Sequence, residues 1–197
     1  MSDWTGNYNS IFKILGASSH TDKEREKDDY YATDPIAVEK LLAVEKPFKN
    51  IWESACGEGH LSKRLKEHGY NVYSSDLVDR GYGEGVWDFL SMRSCPALDE
   101  FDILTNPPYK YAKEFVLKAL ELVNDDRRVY MFLKLTFLGK ARYVELFSKY
   151  PPKTIYVFSE RVSCSKNGDE NFYHGAVCYA WFVWQKGYNG VTEVKWI

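Results

Sequence analysis

From Ile36 onward, apolar positions fall in short bursts separated by polar, glycine-bearing stretches. Ile36, Val38, Leu41 and Leu42 carry helical spacing behind Pro35, a residue suited to a first helical turn. Asn50–Ser54 predicts a short strand, and Leu61 and Leu65, one turn apart, predict a helix that Gly69 stops. Asn71–Ser75, with Asp76 at its end, predicts a second strand, Val86–Phe89 a third and Phe101–Thr105 a fourth. A helix is expected over Ala112–Val123, then the most apolar strand, VYMFLKL at 129–135, helical pattern over 139–149, and strands at Thr154–Phe158 and Val177–Gln185. Strands alternating with helices imply an α/β fold with a mostly parallel sheet covered on both faces. Phe158 to Ala176 breaks that rhythm and suits a hairpin-like return into an antiparallel partner.

The chain's 197 residues fit one domain, and 45% hydrophobic with 16% aromatic residues is enough for a sizeable core. Residues 1–29 read as a peripheral arm and 30–197 as the folded domain, with a small insertion at 160–175. No apolar run reaches membrane-spanning length, and MSDWTGNYNS lacks the features of a secretory leader, so no membrane partner and a cytoplasmic location are expected. The four cysteines form no metal spacing, and His174 with Cys178 falls in a strand-like run, so no metal is expected. Twenty-six basic against 28 acidic residues give a formal charge of -2, which does not advertise nucleic-acid binding but leaves local basic patches open.

Two peptides stand out, and both fall at the carboxyl ends of predicted strands, where open α/β sheets bind ligands. Glu53-Ser54-Ala55-Cys56-Gly57-Glu58-Gly59 follows a strand and opens a helix, and its glycines permit a tight turn and close approach of a ligand. Asp76 comes 17 residues after Gly59, where an acidic side chain can accept both hydrogen bonds of a ribose diol. The third glycine of a dinucleotide fingerprint is missing, since that position is Ser62, and Glu58 would repel a phosphate. S-adenosylmethionine carries no phosphate and is cationic at sulfur and nitrogen, so it fits this loop better than NAD. Cys56 reads as a small buried filler.

The second peptide is Asn106-Pro107-Pro108-Tyr109. Consecutive prolines fix a rigid corner without backbone donors. An exocyclic adenine amine is a poor nucleophile because its lone pair is delocalised. Two acceptors, the Asn106 side-chain oxygen and the Pro107 carbonyl, can hold its N–H groups and stabilise the charge that develops on attack. Tyr109 offers a flat face for the base.

In these motifs the chain resembles the class I amino-methyltransferases, and most closely the DNA adenine-N6 methyltransferases of phage and restriction-modification type. The resemblance covers residues 30–185: ESACGEGHLS at 53–62 looks like the family's cofactor loop, with Ser54 where proline is common, and NPPY at 106–109 matches its catalytic tetrapeptide. It implies a Rossmann-like sheet of seven strands, mostly parallel with an antiparallel last strand. It also implies S-adenosylmethionine as cofactor and double-stranded DNA with a flipped-out adenine as substrate. By the same likeness Tyr31, Thr33 and Pro35, in YATDP, lie near the methionine end of the cofactor, Glu53, Ala55, Gly57 and Gly59 form the loop, Asp76 holds the ribose, and Asp88 with Phe89 meets the adenine ring. There is no room for a large target-recognition domain, which leaves relaxed specificity, a partner or a homodimer open. Lys110, Lys113, Lys140, Arg142, Arg161 and Lys166 flank the expected site and are candidates for phosphate contacts.

The tetrapeptide alone does not fix the substrate, since its geometry suits any planar amine, including an RNA base or a protein glutamine. A binding protein with a degenerate site is the non-enzymatic alternative. Cytosine-C5 methylation needs an attacking cysteine, and Cys95-Pro96 lies in an unremarkable loop.

Overall fold

Strand-length runs of branched and aromatic residues form the centre of the molecule. The computed structural model describes residues 31–139, 141–160, 162, 164–166 and 177–197. Eight strands make the main sheet: β2 (Asn50–Glu53), β3 (Asn71–Asp76), β4 (Gly85–Val86), β5 (Asp102–Thr105), β6 (Arg128–Lys134), β7 (Thr154–Val157), β9 (Tyr179–Gln185) and β10 (Glu193–Trp196). Their order is β10-β7-β9-β6-β5-β2-β3-β4. β9 runs antiparallel to both of its neighbours, and every other pair is parallel. A separate two-stranded ribbon joins β1 (Tyr31–Thr33) to β8 (Cys164–Lys166), antiparallel.

The period of two along each strand sends alternate side chains to two cores. Trp52, Ile103, Met131, Phe182 and Trp184 pack on one face, where α3 (Ala112–Leu122) and α4 (Val144–Lys149) lie. Ile51, Leu104, Tyr130, Phe132 and Trp181 pack on the other, under α1 (Ile36–Leu42) and α2 (His60–Glu67). Each buried tryptophan N–H finds an acceptor: Trp52 on Ser75 Oγ (2.9 Å), Trp181 on Ala37 O (2.8 Å) and Trp184 on Tyr150 O (3.0 Å). These bonds remove the cost of burying an indole donor.

The sequence expectations hold for the doubly covered, mostly parallel sheet and need correction in detail. The sheet has eight strands, not seven, because EVKW at 193–196 adds parallel to β7 beyond the antiparallel strand. Its residues are all exposed, so no burial pattern marks it. The third strand shrinks to Gly85–Val86, and Phe89 instead opens a 3-10 turn (Phe89–Ser91) because Asp88 caps Leu90 N at 3.0 Å. The helical stretch at 139–149 starts as a 3-10 turn at Ala141–Tyr143 before α4. The return after Phe158 does lead into an antiparallel partner, since β9 runs antiparallel to β7 in the main sheet, and on the way β8 pairs with β1. The arm at 1–29 and most of the 160–175 insertion lie outside the described residues.

Asp102 ties the amino ends of two strands together. It is 2% exposed, and its carboxylate accepts from Phe48 N (2.7 Å) and Arg128 N (2.8 Å). Burial raises its pKa, and those two N–H groups and the Arg127 and Arg128 charges oppose the rise. Asp102→Ala leaves two backbone donors without their acceptor and is expected to cost about 2–5 kcal/mol in urea unfolding. A loss below about 0.5 kcal/mol would remove this role.

Candidate active site

β2 delivers Glu53 to the carboxyl edge of the sheet, and the chain then turns through Gly57 (φ 54°) and Gly59 (φ 81°) into α2. Both glycines occupy the left-handed region that side chains strain to adopt. A Cβ on Gly59 would also fall 2.3 Å from ring carbons of Tyr82, so the β3–β4 connection packs directly on the loop. That connection is held by Glu84, which accepts from Ser74 N (2.7 Å) and pairs with Lys66 (2.8 Å).

Two carboxyl groups flank the turn. Asp76, at the end of β3, accepts from Gly57 N at 2.8 Å through one oxygen and from Val78 N at 3.1 Å through the other. Glu53 is 1% exposed and takes a short hydrogen bond from the Ser62 hydroxyl, which is itself 2.6 Å from Ser74 Oγ. Burial pushes the Glu53 carboxyl up to about 8, the charge of Asp76 adds to the rise, and Ser62 offsets part of it. The serine where a dinucleotide loop has glycine therefore has a defined task, holding Glu53. Cys56 is buried, its N–H bonds Ser75 O at 3.0 Å, and burial raises its thiol pKa.

Asn106 leaves the end of β5 and shares a cleft with this loop. The cleft, narrow at about 10 Å³ and partly open to solvent, is lined by Glu53, Ala55 and Cys56 of the loop, His60 and Leu61 of α2, Ala32 and Thr33 of β1, and Asn106. The Asn106 amide donates to Thr33 Oγ1 (2.8 Å) and, weakly, to Cys164 Sγ (3.8 Å), which fixes the amide plane. Pro107 is buried and Pro108 half-buried, and the chain continues into a 3-10 turn at Tyr109–Tyr111. The Tyr109 hydroxyl lies 3.5 Å from Cys164 Sγ. Its ring is 6.0 Å from that of Tyr179, and Lys134 Nζ stands 4.7 Å from the ring centroid. Burial holds the Tyr109 hydroxyl well above its usual pKa.

The expected residues thus divide. Thr33, Glu53, Ala55 and Asn106 line one cleft, and Gly57, Gly59 and Asp76 form the turn at its side. Pro35 caps the start of α1 next to β1, and Tyr31 begins β1. Asp88 is exposed at the far side of β4. Phe89 is 2% exposed between Trp52 and Phe115, so it supports the Asp88 turn from beneath rather than offering its ring to a ligand. Lys110 is exposed, with its ammonium 5.3 Å from the Tyr111 ring centroid, and Lys113 is half-buried on α3. Arg142 falls in the 3-10 turn at Ala141–Tyr143 and Lys166 in β8, while Lys140 and Arg161 lie outside the described residues. Sequence reasoning missed His60, Leu61, Tyr82 and Cys164. The first two follow Gly59 directly, whereas nothing in the sequence links Tyr82 or Cys164 to the site. Among the described residues no cluster of His, Cys, Asp or Glu suits a metal, and no helix is long and apolar enough to cross a membrane.

No protein-family model matches the chain, and no curated protein matches it. Solved structures do. One is the modification subunit of a candidate type I restriction enzyme from Vibrio vulnificus (TM-score 0.56, 13% identity, 93% of this chain and 48% of that one). A second is a candidate RNA methyltransferase from Pyrococcus horikoshii (TM-score 0.55, 14% identity, 77% and 81%). A third is a candidate class I S-adenosylmethionine-dependent methyltransferase from Listeria monocytogenes (TM-score 0.53, 12% identity, 82% and 61%). The chain thus spans less than two thirds of the Listeria and Vibrio chains. At such identities the likeness speaks for architecture: the chain has the Rossmann-like fold of class I methyltransferases.

Proposed function

We propose that this chain transfers the methyl group of S-adenosylmethionine to the N6 amine of adenine in DNA. The observation that carries this reading is the shared cleft, which Glu53, Ala55 and Cys56 of the loop line together with the asparagine of the NPPY corner. The residues suit that cofactor. Glu53 lines the cleft and Asp76 holds the turn beside it, and among the described lining residues there is no lysine or arginine, which suits a cationic, phosphate-free ligand. Bound there, the cofactor supplies an activated methyl group. In this reading Asp76 receives the ribose hydroxyls and Asp88 the adenine amine, while Thr33 and the start of α2 take the methionine end.

The chain's own chemistry is orientation and charge stabilisation. Thr33 takes the Asn106 N–H group, which presents the Asn106 carbonyl as the amide's acceptor for the target amine. Positive charge develops on the attacking nitrogen, and the Asn106 oxygen and Pro107 carbonyl stabilise it before its proton passes to water. A base reaches that corner only when flipped from the stack, and stacking on Tyr109 asks Lys134 to move off the ring. In the same reading Lys110 and Lys113, which follow the corner in sequence, contact phosphate. The Vibrio neighbour, a restriction-enzyme modification subunit, favours DNA, and the Pyrococcus RNA methyltransferase favours RNA as the second reading, which transfer of labelled methyl to DNA, RNA and protein fractions separates.

Asn106→Ala is expected to lower single-turnover transfer to an adenine oligonucleotide at least about 100-fold with cofactor affinity little changed. Asp76→Ala should weaken cofactor binding by about 1–3 kcal/mol in calorimetric titration. Near-normal transfer by a folded Asn106→Ala protein would overturn the mechanism.

Glu53 carries a pH signature. Its carboxyl ionises near 4.5 in the unfolded chain and near 8 in the fold, so the folded protein holds more protons in that window and stability falls as pH rises through it. Glu53→Gln is expected to flatten that fall in urea unfolding at the two ends of the window. Cofactor binding near neutrality should release a proton as positive charge draws Glu53 back to carboxylate. Calorimetry in two buffers of different ionisation enthalpy reads this directly, and identical apparent enthalpies would count against it.

A further inference from the structure

The geometry points to β10 as a self-pairing edge through which two copies of this chain join into one continuous sheet. This does not depend on the reaction. Among the described residues β10 pairs only with β7, leaving its other edge open. Glu193 N donates to Lys153 O (3.0 Å) and Ile197 N to Val157 O (2.9 Å). Alternation along the strand then turns the N–H and C=O of Val194 and Trp196 outward. The outward edge is apolar for an unpaired strand: Val191 is 85% exposed, Val194 48% and Trp196 69%. Such an edge is a template for another strand unless charges oppose pairing.

The charges here favour a second copy in one register. A two-fold axis at Val194 sets Val194 against its counterpart as a hydrogen-bonded pair. It places Glu193 opposite the second copy's Lys195, and Lys195 opposite the second copy's Glu193. Val191 then faces Ile197 across the axis. Glu193 and Lys195 already attract at 2.7 Å within the strand, so pairing makes a closed ring of four alternating charges. An axis at Lys195 uses the same outward groups but sets lysine against lysine, which is unfavourable.

Sedimentation equilibrium of the full chain across the micromolar range tests this, with urea midpoints as the control for folding. A reversible dimer is expected. Lys195→Glu should weaken association about tenfold by turning two attractions into two repulsions. Adding Glu193→Lys to that variant should restore it. Val194→Pro should abolish the dimer while keeping the monomer's ladder, because its N–H points away from β7. A wild-type chain that stays monomeric throughout overturns the inference. So does a dimer indifferent to Lys195→Glu, or a charge-swapped chain that fails to recover.

Discussion

The site depends on closing a tight turn around two carboxyl groups that lie side by side at the ends of β2 and β3. Asp76 is held by backbone N–H groups of Gly57 and Val78, and Glu53 by the Ser62 hydroxyl, so among the described residues each is fixed by neutral donors rather than by a lysine or arginine salt bridge. The turn can tighten around them only because Gly57 and Gly59 adopt left-handed conformations, and because Tyr82 fills the space a side chain on Gly59 would take. A buried carboxyl without a full countercharge is costly and shifts toward its neutral form. For Glu53 that cost shows as a raised pKa, and a positive charge brought beside it would lower it again.

The geometry of the NPPY corner comes from a different quarter of the chain. The NPPY corner is rigid by its own covalent chemistry, yet the plane of the Asn106 amide is set by Thr33, 73 residues upstream, with Cys164 on the same side. The β1–β8 pair therefore carries orientation, while the sheet carries position.

Much of this was legible in the sequence. The apolar period separated strands from helices, and the glycine turn, Asp76 and NPPY announced themselves by residue type at strand ends. What escaped reading has physical reasons. β10 alternates weakly and buries nothing, so no pattern distinguishes it from a loop. Phe89 looked like a ligand-facing ring beside Asp88, but the 3-10 turn rotates it into the core. Cys164 and Tyr82 reach the site through long-range packing, and a single cysteine or tyrosine in a polar stretch carries no local trace of that.

The ribbon that holds Asn106 has an unequal partner in the rest of the cleft. Its three pairs, Tyr31↔Lys166, Ala32↔Ser165 and Thr33↔Cys164, belong to neither edge of the main sheet, whereas β6 and β9 share seven consecutive pairs. Two strands of this length are marginal on their own. Local opening draws on such weakly paired elements first, so the two walls of the cleft are held by very unequal amounts of strand pairing. Amide protons in the ribbon would exchange with solvent well before those of β6, so the plane of the Asn106 amide hangs on the least protected pairing around the cleft.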